Sequence, residues 1–201
     1  MIVQSREAER DHLLRTAEAM AAAARTAPKT KGQDFVETAI LDGEDLERLA
    51  AAMDEAAEET GLGFLHRDAG CVRKSGAVVL LGIGHHCRGM GMACNFCGLG
   101  GCVGCQAAGG ACVFDPIDLG IALGSAASIA ADARVDSRIM MSAGLGAKRL
   151  GLFPAGTEIV FGIPLSISGK SPYFDRSMLS EFIGTVKKIW HQTPVQVGGF
   201  Y

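Results

Sequence analysis

The chain has 201 residues, 48% of them hydrophobic and 20% charged, which suits one globular domain with a sizeable core and excludes a disordered polyelectrolyte. A net charge of -3 with no basic patch argues against nucleic acid as the principal partner, and no run of about eighteen apolar residues is present to span a membrane. Met1-Ile2-Val3-Gln4 leads straight into charged residues without a signal-peptide pattern, so the expected location is cytoplasmic, where thiols stay reduced.

Residues 6–24 are rich in Ala, Glu, Arg and Leu and predict a helix, with Leu13, Leu14, Ala17, Met20 and Ala21 on one face. Pro28 ends it, because the residue before a proline avoids helical geometry. The basic stretch 25–32 reads as a solvated surface turn, with phosphate binding as the alternative. A strand is expected over 34–41, then a turn at Asp42-Gly43. Residues 44–60 predict a second helix that buries Leu46, Leu49, Ala50 and Met53 and stops at Gly61. Leu65-His66-Arg67-Asp68 imitates a kinase catalytic-loop triplet, but no other kinase element accompanies it and it is set aside as coincidence. Residues 76–84 are a continuous apolar run bounded by glycine, suited to a central strand buried on both faces.

Five of the seven cysteines follow within residues 94–112, spaced C-x2-C-x4-C-x2-C-x6-C among many glycines. An odd cysteine count in a reducing compartment disfavours disulfides and favours metal or catalysis. A zinc ribbon usually separates its two C-x2-C knuckles by roughly fifteen residues or more. The compact run here is closer to a ferredoxin-type iron–sulfur loop, with zinc as the alternative. His85 and His86 read as polar residues that end a strand, with a metal-ligand role for either imidazole as the alternative. Cys87 and the isolated Cys71 are expected to be dispensable for metal, Cys71 as a small buried hydrophobe.

Beyond this loop, residues 116–132 predict a helix apolar on almost every side, capped by Asp115 and expected to be the central buried helix. Its small residues Gly120, Gly124, Ala127 and Ala131 leave room for a close neighbour. A further helix is expected from 136 or 137 to about 150. A strand over 157–167 is broken by Gly162 and Pro164, an amphipathic helix covers 179–190, and 193–201 reads as an extended tail.

Several motifs carry a resemblance. Cys94-x-x-Cys97-Gly98-x-x-x-Cys102 is similar to the C-x-x-C-G-x-x-x-C element of a [4Fe-4S] domain found in anaerobic redox and corrinoid proteins. That resemblance implies Cys94, Cys97 and Cys102 as ligands with a fourth downstream, Cys112 preferred and Cys105 its competitor. Ala23-Ala24-Arg25-Thr26-Ala27-Pro28 through Gln33 looks like the nitroreductase element that lies beside FMN. Asp118-Leu119-Gly120-Ile121-Ala122, Gly144-Leu145-Gly146 and Gly162-Ile163-Pro164 look like that family's later motifs, in the right order. With the cysteine loop added, the chain resembles an uncharacterised prokaryotic family of ferredoxin-domain-containing proteins, through RTAPKT at Arg25, RDAG-x-VRKS-x-AVVL at Arg67 and VFDPIDLGIALGSA at Val113.

The resemblance implies an α+β, nitroreductase-like fold: a mixed sheet flanked by helices around a buried central helix. A single domain over 1–201 would carry an inserted ferredoxin-type loop over 85–113. It also implies a homodimer, with the apolar tail after Trp190 free to wrap the partner subunit. It places Arg25, Lys29, Lys31 and Arg176 where flavin-binding relatives gather around FMN. However, the family's opening R-R-S-x-R is reduced to Ser5-Arg6, and Lys29 and Gly32 replace the Ser and Asn of its APS-x-x-N loop, so weak or no FMN binding is expected. The expected function is iron–sulfur redox work, namely electron transfer through a [4Fe-4S] cluster to a redox partner protein or a small electron acceptor. The alternatives are an FMN-dependent reductase of small electrophiles with the cluster as relay, and a zinc-stabilised binding module without redox work. No acid, base or nucleophile stands out beside the thiolates, so enzymatic activity is left open.

Overall fold

The computed structural model describes residues 2–174. The expected helix over 179–190, the tail and Arg176 lie outside the described residues. In chain order the elements are α1 (Ser5–Thr26), β1 (Glu37–Asp42), α2 (Glu44–Thr60), α3 (Phe64–Arg73), β2 (Ala77–Gly84), α4 (Gly101–Ala107), α5 (Phe114–Asp132), β3 (Asp136–Ser137), α6 (Met141–Arg149) and β4 (Thr157–Ser166).

The strands form one sheet in the order β1-β2-β4-β3. Every pairing among the described residues is antiparallel, where the sequence suggested a mixed sheet. The reason lies in the connections. Two helices separate β1 from β2 and return the chain to the end it left, so that Asp42 pairs with Ala77. A parallel neighbour needs a single crossover to the opposite end.

All eight residues of β2 are buried, as their unbroken apolar run implies. Alternation divides them between two cores. Val79, Leu81 and Ile83 meet α1 and α5 on one face, with Leu13, Met20, Leu119 and Ala126. Val78 and Leu80 meet α2, α3 and α6 on the other, with Leu49, Met53, Val72 and Ala143. Helix α6 comes so close to β4 that a methyl group at Gly144 would land on the Val160 carbonyl.

Strand β4 continues through Gly162 and Pro164 instead of breaking there. Gly162 exchanges backbone hydrogen bonds with Met140, so the position two residues on also faces the β3 side. There β3 has stopped at Ser137, and the amide that Pro164 lacks is not required by β2. The start expected for a helix near 136 is strand instead, because Asp136 and Ser137 pair with Ser166 and Leu165.

Helix α3 was unread in the sequence. Its Arg67-Asp68 pair is structural: Asp68, 3% exposed, accepts from Arg67 at 2.8 Å and from the Ser142 hydroxyl at 2.6 Å, joining α3 to α6.

Helix α5 has 19 residues and a mean hydropathy of 1.2, long and apolar enough by length and composition to cross a membrane, which the run-length reading missed. In the fold it packs against α1 and the sheet, and its first turns bury Asp115 and Asp118. It is not enclosed on all sides. Ile117 and Ile121 are each 42% exposed, and among the described residues no atom outside the helix's own neighbouring turns stands within 4 Å of a methyl placed at Gly120 or Gly124.

Candidate metal centre

The cysteine-rich loop leaves the end of β2 and returns at the first turn of α5, and a buried ionic network pins its two ends. Arg88, with no side-chain exposure, lies 2.8 Å from Asp115 and 2.9 Å from Asp118. It also donates to the Gln33 carbonyl at 2.9 Å and sits over the Phe35 ring at 4.7 Å. The His86 amide donates to Asp115 at 2.8 Å, while its ring stacks on Phe35 at 3.9 Å. Asp118 further accepts the Thr30 amide at 3.0 Å and the Thr30 hydroxyl at 2.8 Å. A buried arginine is tolerated because two carboxylates and a carbonyl take its terminal nitrogens, while its Nε is left without a partner among the described residues.

Above this base lies a cavity of about 290 Å³ lined by Cys87, Cys94, Cys97, Cys102, Cys105 and Cys112, and among the described residues no acidic or basic side chain lines its wall apart from two histidines. Local structure explains how the thiols meet. The Asn95 side chain accepts the Gly100 amide at 2.8 Å and the Gly101 amide at 3.3 Å, curling 95–101 into a tight turn. Short helix α4 then presents Cys102 and Cys105 three residues apart on one face.

The six thiols have different surroundings. Cys102 accepts the Met90 amide at 3.2 Å. Burial would raise its thiol, but the Met90, Gly91 and Gly89 amides and the Cys87 side chain outweigh it and hold the group below the ordinary value. Cys105 is buried and donates its S–H to the Gly110 carbonyl at 3.3 Å. Burial, reinforced by Cys97, Cys112 and Cys87, pushes that thiol up. Cys71 lies away from the cavity, buried and donating to the Pro172 carbonyl at 3.3 Å, as a small core residue would.

The donor set fits an iron–sulfur group: soft sulfurs surround a volume without competing carboxylates. Among the described residues no three His, Cys, Asp or Glu side chains gather closely enough to share one ion. A tetrahedral zinc, with Zn–S bonds of about 2.3 Å, would hold its sulfurs about 3.8 Å apart.

The structure brings Cys94, Cys97, Cys102 and Cys112 to one cavity and adds Cys87, which the linear spacing did not include. It does not gather the suggested flavin contacts in the same way. Arg25 pairs with Asp34 at 2.7 Å. Lys29, with a side chain only 3% exposed, donates to the carbonyls of Ala24, Arg25 and Ala27 at 2.7, 2.9 and 2.7 Å, closing the end of α1. Lys31 donates to the Arg88 carbonyl at 3.1 Å. These three cations contact Asp34, the end of α1 and the Arg88 carbonyl.

Comparison with known proteins agrees with this architecture. A family model described as "Uncharacterized protein containing a ferredoxin domain (DUF2148)" matches residues 108–176, a stretch that includes Cys112 but not the earlier thiols. An uncharacterized protein of Archaeoglobus fulgidus is 46% identical over 166 residues, covering 79% of this chain and 88% of the relative. Among solved structures, a nitroreductase with bound FMN from Desulfitobacterium hafniense is similar with a TM-score of 0.50 at 16% identity, covering 78% of each chain. The FMN-dependent nitroreductase NfnB from Mycobacterium smegmatis, in complex with NADPH, gives 0.52 at 14% identity, again over 78% of each chain. Nitroreductase CinD from Lactococcus lactis, in complex with nicotinic acid, gives 0.51 at 16% identity over 78% of this chain and 81% of its own. At these identities the likeness establishes the nitroreductase-like fold.

Proposed function

This chain belongs to the family of uncharacterized proteins containing a ferredoxin domain, on a nitroreductase-like scaffold, and from that premise we propose that it is an iron–sulfur protein that transfers electrons one at a time. The observation that carries the reading is the cavity of about 290 Å³ lined by six thiols, with no carboxylate among its described lining residues.

In this reading Cys94, Cys97, Cys102 and Cys112 hold a [4Fe-4S] cluster, which supplies a one-electron couple. The rest of the work falls to the chain. Arg88 and Asp115 hold the loop ends together, so that Cys112 faces the thiols carried by α4 and the Asn95 turn. Cys105 keeps its proton for the Gly110 carbonyl and supports the wall without binding metal. The partner is a redox protein or a small electron acceptor in the cytoplasm. Two chains associate through the exposed face of α5, where Ile117 and Ile121 flank the open Gly120 and Gly124.

Iron and acid-labile sulfide analysis of anaerobically purified protein tests the assignment. About four of each per chain are expected in the native protein and in Cys71→Ser, with loss in Cys97→Ser. Full metal content in Cys97→Ser would overturn the ligand set, and stoichiometric zinc would replace the reading with a structural module.

A further inference from the structure

Among the described residues, Lys31 and Arg134 are the two non-glycine positions with positive φ, and Lys31 (φ +58°) stands beside Gly32 (φ +67°). A left-handed turn alone would be served by a second glycine, so a lysine there points to work for its side chain. Contacts on both sides aim it. Thr30 binds Asp118 through its amide at 3.0 Å and its hydroxyl at 2.8 Å, while the Gln33 carbonyl accepts from Arg88 at 2.9 Å. Between them the Lys31 ammonium donates to the Arg88 carbonyl at 3.1 Å, and it lies 3.8 Å from where a methyl on Gly89 would stand.

That carbonyl belongs to the cysteine-rich loop. One residue, Gly89, separates Arg88 from Met90, whose amide meets the Cys102 sulfur at 3.2 Å. Beneath the loop, Arg88 sets one positive charge against the two carboxylates of Asp115 and Asp118. Lys31 supplies a second positive charge, so this group of four is balanced with the lysine and net negative without it. Arg25 and Lys29, by contrast, are directed to Asp34 and to the end of α1.

We propose that Lys31 is an electrostatic tuning residue of the iron–sulfur centre, raising its reduction potential through the charge it holds at the 88–90 turn. The proposal rests on the iron–sulfur reading above. Adding an electron makes the centre more negative, and a fixed cation nearby stabilises that state more than the oxidised one. Because Lys31 is itself exposed, its field passes partly through solvent and is open to screening by salt. A purely structural role, as a hydrogen-bond donor to the loop, would carry no such dependence.

Anaerobic redox titration of the full-length protein, paired with iron analysis, tests this. Lys31→Met is expected to retain native iron and to lower the potential by the equivalent of a threefold to tenfold change in the one-electron equilibrium, about 30–60 mV. Lys31→Glu, which reverses the charge, should roughly double that shift, and Lys31→Arg should keep the native potential. The Lys31→Met shift should shrink between about 0.01 M and 1 M salt, as the Debye length falls from roughly 30 to 3 Å. An unchanged potential in Lys31→Met, an equal shift in Lys31→Arg, or a shift indifferent to salt would overturn the tuning role. Loss of iron from Lys31→Met would overturn it too, by making the lysine a structural brace of the loop. Native protein without iron would remove the iron–sulfur reading and this proposal with it, whereas the preceding results would leave that reading standing.

Discussion

Arg88 and Asp115 form a 2.8 Å ion pair whose side chains are both fully closed to solvent. One lies just beyond β2 and the other in the first turn of α5, so the pair shuts the base of the loop that carries the thiols. Because Asp118 shares the guanidinium and also binds Thr30, the same contact joins the loop to the turn after α1.

Removing the arginine strands two buried carboxylates. Arg88→Met is expected to cost about 3–5 kcal/mol of stability, since breaking one side of a buried ion pair leaves uncompensated charge. Arg88→Lys keeps the charge but loses the planar fork and should cost less than the methionine variant. Urea unfolding measures both. A loss below about 1 kcal/mol for Arg88→Met would contradict the bracing role.

Lys29 is expected to matter for stability and not for flavin. It holds three carbonyls at the end of α1, so Lys29→Met should destabilise by about 1–3 kcal/mol. Titration of the protein with FMN should show weak binding or none. Submicromolar affinity that disappears in Arg25→Ala would reverse this and favour the flavin-dependent reductase.

Much of the fold was legible because its signals are local. The apolar run of β2 and the periodic faces of α1 and α2 depend only on nearby residues. Helix α3 escaped notice because Asp68 looks like a surface residue until Ser142, 74 positions away, is seen to bond it. The four spaced cysteines of 94–112 could be read by counting. Cys87 could not, because the 87–91 turn reaches Cys102 only through a fold that Arg88 anchors. Lys29 and Arg25 looked like free cations because Asp34 and the end of α1 meet them only in three dimensions. The strand directions also stayed hidden, since a pairing such as Asp42 with Ala77 is set by where the intervening chain returns in three dimensions.

His66 should give the stability a measurable pH dependence. Its hydrogen bond to Asp54, aided by Glu58, raises its pKa above the ordinary 6.5 despite some desolvation. A raised folded value means that the contribution is fully present below pH 6.5 and fades as pH rises through the folded pKa. Arg73 also pairs with Asp54 at 2.8 Å and keeps that carboxylate charged across the range. Unfolding midpoints of the native protein and His66→Gln should therefore converge at alkaline pH and diverge near neutrality in favour of the native protein. Parallel curves would refute the assignment.

The exposed α5 face predicts self-association. Light scattering is expected to return twice the chain mass of 20.9 kDa for the native protein and a single chain mass for Ile121→Asp. A native protein that runs as one chain at micromolar concentration would contradict the dimer.

The central claim is that this chain carries a one-electron iron–sulfur centre, and electron paramagnetic resonance of the anaerobic protein before and after dithionite reduction tests it most directly. The account predicts a reversible, iron-based signal from one reducible centre per chain, present in Cys71→Ser and absent from Cys97→Ser. Protein that takes up no electrons and contains zinc in place of iron would contradict it.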